Sequence, residues 1–258
     1  MSKPEINIVS PDKVDQPPKI TAVNEELKIN GEIDEPVIQG NVGDCWLLSG
    51  INALNSTDKG KEIIRNAIIP NDDGTVTINF AGVQKQITIT PDEIKKYDTD
   101  TNFQDMYSNG DNDALVLEIG MRKLIKENPK LLIGLDKDIN GGQTFNFRKA
   151  LIPNYNIIKI RDVYGKPAEN DGKSSISSSS SGPSDMYKNK IKEVLQKAID
   201  NKNIAIEFSN GQHSMAITKV TENKVTYIDS MNYHETTLYW DEFINSRIKL
   251  TYTDLSDN

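Results

Sequence analysis

The stretch Gln39-Gly40-Asn41-Val42-Gly43-Asp44-Cys45-Trp46-Leu47-Leu48-Ser49 constrains this chain more than any other. It holds the single cysteine of 258 residues. Gly40 and Gly43 loosen the backbone before that cysteine, and an apolar run follows it. The pattern predicts a tight loop entering a buried helix, with the thiol in the first turn. A helix N-terminus carries unpaired N–H groups and a partial positive charge, which push a thiol toward its nucleophilic thiolate form. The Gln39 amide can reach the same point as the Cys45 backbone N–H, and two such donors form an oxyanion hole. On residue type alone, a lone cysteine in an apolar helix is a small buried hydrophobe. The flanking glycines, Gln39 and a downstream histidine favour chemistry instead.

Bulk properties narrow the classes. The length suits one large domain or two small ones. A net charge of −8 argues against a general nucleic-acid binder, which needs a basic face. One cysteine excludes an intrachain disulfide framework, and two histidines leave little for a zinc site. The sequence itself requires no cofactor. The N-terminal residues lack an apolar core of signal-peptide length, and no apolar run reaches the ~18 residues of a membrane span. A soluble protein is expected, either cytoplasmic or exported without a conventional signal peptide.

Along the chain, residues 1–33 are polar and proline-bearing and read as a flexible N-terminal segment. Residues 34–170 read as a helical lobe carrying Cys45. Trp46, Leu47, Leu48, Ile51 and Leu54 recur at helical spacing. A turn at Asp58 to Gly60 and a short helix over 61–69 follow. Asn71 to Gly74 is a hairpin turn signal, flanked by Ile68-Ile69 and by alternating Val76, Ile78 and Phe80. Gln86 to Thr90 reads as the next strand, and Thr90 as the N-cap of a helix opening at Pro91. A helix is expected over Ala114 to Glu127, a sharp turn at Gly141-Gly142, and a short helix within Thr144 to Leu151. Residues 171–185 are Ser-rich flexible linker. Residues 186–258 form a β-rich lobe: a helix over 186–201, then strands near 204–208, 213–220, 224–229, 236–239 and 248–252, suited to an antiparallel sheet.

Cys45 needs a base. His213 lies at the mouth of a strand, just after an Asn-Gly turn, where its ring can face another lobe. His234 is placed in a loop with a solvated side chain. A thiolate–imidazolium pair also needs a third group to hold the ring. Asp229 ends the strand that should pair with the His213 strand. Asn232, three residues on, is the alternative orienter.

These residues match a known pattern. Gln39 to Leu48 resembles the active-site segment of calpain-type (papain-like, clan CA) cysteine proteases, Gln-Gly-x-x-Gly-Asp-Cys-Trp-Leu-Leu, at every fixed position. Leu115 to Leu124 resembles that family's helix before its Gly-Gly turn, here Gly141-Gly142. Gln212 to Ile217 resembles its histidine segment, usually Gly-His-Ala-Tyr. The resemblance covers about residues 36–250, with the linker as an insertion. It implies an α+β, papain-like two-lobe fold: a helical lobe with the cysteine and an antiparallel β lobe with the histidine. It implies a cysteine endopeptidase acting on protein or peptide substrates. Cys45 would be nucleophile, His213 general base and acid, and Gln39 the oxyanion donor. The family's third segment, Arg-Asn-Pro-Trp-Gly, aligns with Ile228-Asp229-Ser230-Met231-Asn232. Asp229 thus takes the Asn place, and the shielding Trp is missing. Calpains also bind calcium in the protease core, but no loop here matches those sites, so no calcium requirement is carried over. Two alternatives stand beside hydrolysis. One is transglutaminase-like acyl transfer by a Cys-His-Asp triad. The other is a catalytically silent binding module built on a protease fold.

Overall fold

The computed structural model describes residues 27–34, 37–99, 108–132, 135, 138–154, 156, 158–160, 183–231, 234–246 and 248–256. The protein is mixed α+β, with antiparallel sheets. Strand β1 (Val37–Ile38) leads to helix α1 (Cys45–Asn55), which starts on the cysteine itself. Helix α2 (Asp58–Ala67) runs into β2 (Ile68–Pro70), β3 (Val76–Phe80) and β4 (Lys85–Ile89), then α3 (Pro91–Thr99). Strand β5 (Asn109–Gly110) precedes α4 (Asn112–Glu127) and α5 (Asn146–Leu151). Strand β6 (Ile158–Ile160) is followed by α6 (Asp185–Asp200). The C-terminal third runs β7 (Ile204–Ser209), β8 (Ser214–Val220), β9 (Lys224–Asp229), β10 (His234–Tyr239), α7 (Trp240–Asn245) and β11 (Lys249–Asp254).

Local chemistry sets most boundaries. In α1 every residue from Trp46 to Leu54 is buried, so the helix is packed on all sides, not along one stripe. The β2–β3 hairpin forms across Asn71 to Gly74 with Ile68 opposite Ile78. Thr90 and Glu93 make a reciprocal capping box at α3, with the Thr90 N–H on the Glu93 carboxylate and the Glu93 N–H on Thr90 Oγ1. Thr57 caps α2 by accepting from the Gly60 N–H. That cap turns the expected Asp58 to Gly60 turn into the first turn of the helix.

The apolar side chains gather in two clusters. One holds α1, α2, α4, α5 and the three-stranded β2-β3-β4 sheet. The other fills the space between α6, α7 and a six-stranded sheet of order β10-β9-β8-β7-β11-β6. Helix α1 packs across β8 and β7 of that sheet. Gly50 permits the approach: a Cβ there would stand 2.8 Å from Glu207 Oε1 on β7. Arg148 of α5 reaches across to the same strand. Its guanidinium donates to Glu207 Oε2 at 2.9 Å, to the Thr251 and Thr253 hydroxyls and to the Ala205 carbonyl, all buried.

Three placements differ from the sequence reading. The end of the segment read as flexible is packed: Leu27, Ile29 and Ile33 are core residues. The Asn30 and Gly31 N–H groups are held by the Asp113 carboxylate. Alternating apolar residues can be buried once a carboxylate takes up the backbone donors between them. Residues 1–26 of that segment, and residues 171–182 of the linker, lie outside the described residues. Second, Ile158–Ile160, read within the helical lobe, forms an edge strand on β11, with Thr251 opposite Lys159. Third, His234 is not in a loop. It opens β10 directly opposite Asp229, with its side chain exposed.

Candidate active site

The thiol sits where a helix start, a glycine turn and a sheet end meet. Cys45 is the first residue of α1, so its N–H has no acceptor inside the helix. The loop before it is tied to the Gly141-Gly142 turn. The Gly43 N–H donates to Asn140 Oδ1 at 2.8 Å, and the Gly141 N–H to the Gly43 carbonyl at 2.8 Å. Trp46 Nε1 donates to the Ile139 carbonyl at 2.7 Å. Gly142 lies flat on the Trp46 indole: a Cβ there would be 2.3 Å from the ring. The two glycine motifs therefore form one device that fixes the start of α1.

His213 immediately precedes β8 and is turned by the Asn210 side chain, whose Oδ1 accepts the His213 N–H at 2.9 Å. The His213 Nε2 and Asp229 Oδ1 are 2.6 Å apart. That contact leaves Nδ1 as the nitrogen for Cys45. Asp229 is itself held, since Oδ1 also accepts the Met231 N–H at 2.9 Å. The two side chains keep only 18% and 25% exposure, enough shelter for the contact to persist against water.

The electrostatics agree with the geometry. Burial pushes the Cys45 thiol up, but hydrogen bonds from His213 and from the Ser214 N–H and hydroxyl, with the His213 charge, outweigh it. The net result is a thiol below its ordinary range. His213 moves the opposite way, to about 9, chiefly through its bond to Cys45, against burial, with the Asp229 bond and charge adding. A lowered thiol facing a raised imidazole favours the ionised pair over the neutral one.

Gln39 is drawn to the same place by the sheet. Its N–H donates to the Ser230 carbonyl at 2.8 Å, one residue past Asp229. Its side-chain Nε2 donates to the Val42 carbonyl at 2.8 Å, inside the loop leading to Cys45. One amide proton remains for another acceptor. The structure thus brings Cys45, His213, Asp229 and Gln39 together. Asn232, the alternative orienter, lies outside the described residues.

Sequence reasoning missed two features. Ser214 was read only as part of the histidine segment, yet its N–H and hydroxyl help to lower the Cys45 thiol. Asp44 occupies the N-cap but makes no side-chain cap bond. It faces Glu118 of α4, and both are buried. Asp44 Oδ2 and Glu118 Oε1 would be two acceptors without a donor, so a shared proton is required. Burial and Glu118 push Asp44 to about 10, and burial also raises Glu118, whose other oxygen accepts from the Ser108 N–H and hydroxyl. A neutral Asp44 next to Cys45 spares the thiolate a second negative charge. The one signal for this was an Asp at a helix start preceding an apolar run.

Among the described residues, no group of three or more His, Cys, Asp or Glu side chains could hold a metal ion. No described helix is long and apolar enough to cross a membrane. No protein-family model and no curated protein matches the chain.

Proposed function

We propose that the chain is a calpain-like, papain-fold cysteine endopeptidase. The observation that carries this reading is the contact set Cys45–His213–Asp229, in which the thiol is lowered and the imidazole raised to about 9. The Cys45 thiolate attacks the carbonyl carbon of a peptide bond. The carbonyl π electrons move onto oxygen, which the Cys45 N–H and the Gln39 amide stabilise. The oxyanion collapses, the C–N bond breaks, and the His213 imidazolium gives its proton to the leaving amine. Neutral His213 then takes a proton from water, whose hydroxide adds to the thioester and releases acid and thiolate. Asp229 keeps the ring oriented and stabilises its charge through both halves.

An epoxysuccinyl probe tests this. It should label Cys45 in native protein and spare His213→Ala. Cys45→Ala should abolish peptide cleavage while leaving thermal unfolding unchanged. Folded, reduced native protein that resists the probe would refute the reading. The Asp229 carboxylate equally suits a Cys-His-Asp acyl transferase, and supplying an amine acceptor in the same assay separates transfer from hydrolysis.

A further inference from the structure

The hydrolytic cycle leaves one acid pair beside the thiol unused. Asp44 directly precedes Cys45 and is 1% exposed, and Glu118, in the middle of α4, is 0% exposed. An aspartate at an N-cap ordinarily turns its carboxylate onto the N–H of the second or third helical residue, here Trp46 or Leu47. Asp44 does otherwise. Its carbonyl takes the Leu47 and Leu48 N–H groups, at 2.7 and 3.2 Å. Its side chain makes no cap bond and turns to Glu118 instead.

The surroundings decide which acid holds the shared proton. Glu118 Oε2 accepts the Ser108 N–H at 2.9 Å and the Ser108 hydroxyl. The Asp44 carboxyl has only its own backbone N–H. Donors stabilise a carboxylate, and burial without them disfavours it. The negative charge therefore rests on Glu118 and the proton on Asp44, whose O–H gives Glu118 a third donor. An ionised, capping Asp44 would take up first-turn N–H groups of α1 and cancel part of their positive charge.

We propose that Glu118, with Ser108, is a positioning group for the nucleophile. It holds Asp44 neutral and turned away from the first turn of α1, so that the positive helix end serves the Cys45 thiolate and the oxyanion. The inference rests on the hydrolase reading above. The ionisable groups that act on the thiol are His213, ahead of β8, with Asp229 of β9 behind it. Those that act on Asp44 are Glu118 of α4 and Cys45 itself.

Iodoacetamide tests it. The chain has one cysteine and the thiolate is the reacting form, so the alkylation rate against pH gives the Cys45 midpoint directly. Glu118→Gln removes the anion that keeps the proton on Asp44 and offers an amide donor in its place, so Asp44 ionises beside Cys45. The midpoint should rise by about one pH unit, a tenfold slower alkylation at a pH below both midpoints. Adding Asp44→Asn, which cannot ionise, should bring the midpoint back. A merely structural pair predicts the reverse, with the double variant at least as disturbed as the single one. Ser108→Ala, which takes one donor from the Glu118 carboxylate, should shift the midpoint the same way by a smaller amount and serves if Glu118→Gln fails to melt cooperatively. An unmoved midpoint in the folded variants, or a rise that Asp44→Asn does not reverse, would overturn the positioning role. Peptide cleavage by native protein would then still leave the hydrolase standing. Native protein that neither cleaves peptides nor takes the epoxysuccinyl probe would remove the hydrolase reading, and this role with it.

Discussion

Replacing Asp229 with Asn removes a charge and keeps an acceptor. Asp229 Oδ1 accepts from His213 at 2.6 Å and from the Met231 N–H at 2.9 Å, and an amide oxygen can do both. Ring orientation is therefore retained, and only the charge assistance is lost. A hydrogen bond with a charged partner contributes about 1.5–3 kcal/mol, against about 1 kcal/mol for a neutral one. The imidazolium loses about 0.5–2 kcal/mol of stabilisation by that difference. At about 1.36 kcal/mol per pH unit, His213 should titrate about one pH unit below its native value of about 9. The sign follows from which form is stabilised: Asp229 favours the protonated ring, so its loss lets the proton leave earlier. With two histidines in the chain, the ring resonances are easily told apart by NMR, so the shift can be read directly. The alkaline limb of kcat/KM should move down by the same amount, because acylation needs a proton on His213. If His213 titrates at the same pH in native protein and Asp229→Asn, the electrostatic role of Asp229 is refuted.

Further predictions follow from the same geometry. Gln39→Ala should lower peptide hydrolysis by about 100-fold, the cost of one oxyanion donor, while alkylation of Cys45 by iodoacetamide stays unchanged. Gly142→Ala drives a Cβ into the Trp46 indole and should cost about 1–3 kcal/mol in urea unfolding; an unmoved midpoint would show that the turn yields freely. Arg148→Met strands Glu207 in the interior and should cost about 3–5 kcal/mol, most of it recovered in Arg148→Met/Glu207→Gln. Burial raises Glu207 to about 7 and Asp44 to about 10. The folded protein keeps those protons where the unfolded chain has shed them. Their contribution is full below ordinary carboxylate values and is lost as pH climbs through 7 and on toward 10. Thermal midpoints should therefore fall from mildly acid to alkaline pH, and Asp44→Asn should flatten that slope.

Much of this was readable because the signals were local. The motif around Cys45 placed the start of α1 on the thiol, and turn residues at Asn71 to Gly74 and Asn210-Gly211 set two hairpins. The antiparallel pairing of β8 and β9 brought Asp229 to His213 as their short connection required. What escaped was non-local. The three-residue β6 is too short for a period to show, and β11 supplies its register. Leu27, Ile29 and Ile33 become core only because Asp113, some eighty positions on, holds the backbone between them. Asp44 looks like an N-cap in sequence, and its inward turn depends on Glu118 of α4. His234 followed a polar stretch that suggested a loop, yet pairing with β9 extends it into a strand.

The joint between α1 and the large sheet also bears on when the protein becomes reactive. The Ser56 hydroxyl, one residue past α1, meets the Ile217 carbonyl across 161 positions of sequence, and the base for Cys45 lies on that far side. Contacts so distant along the chain carry a high closure entropy and form late. On the ribosome Cys45 emerges long before His213, so a nascent or truncated chain should hold an ordinary thiol. If the chain is the peptidase proposed above, its chemistry would wait until the C-terminal strands have docked, and folding itself would serve as the safety catch.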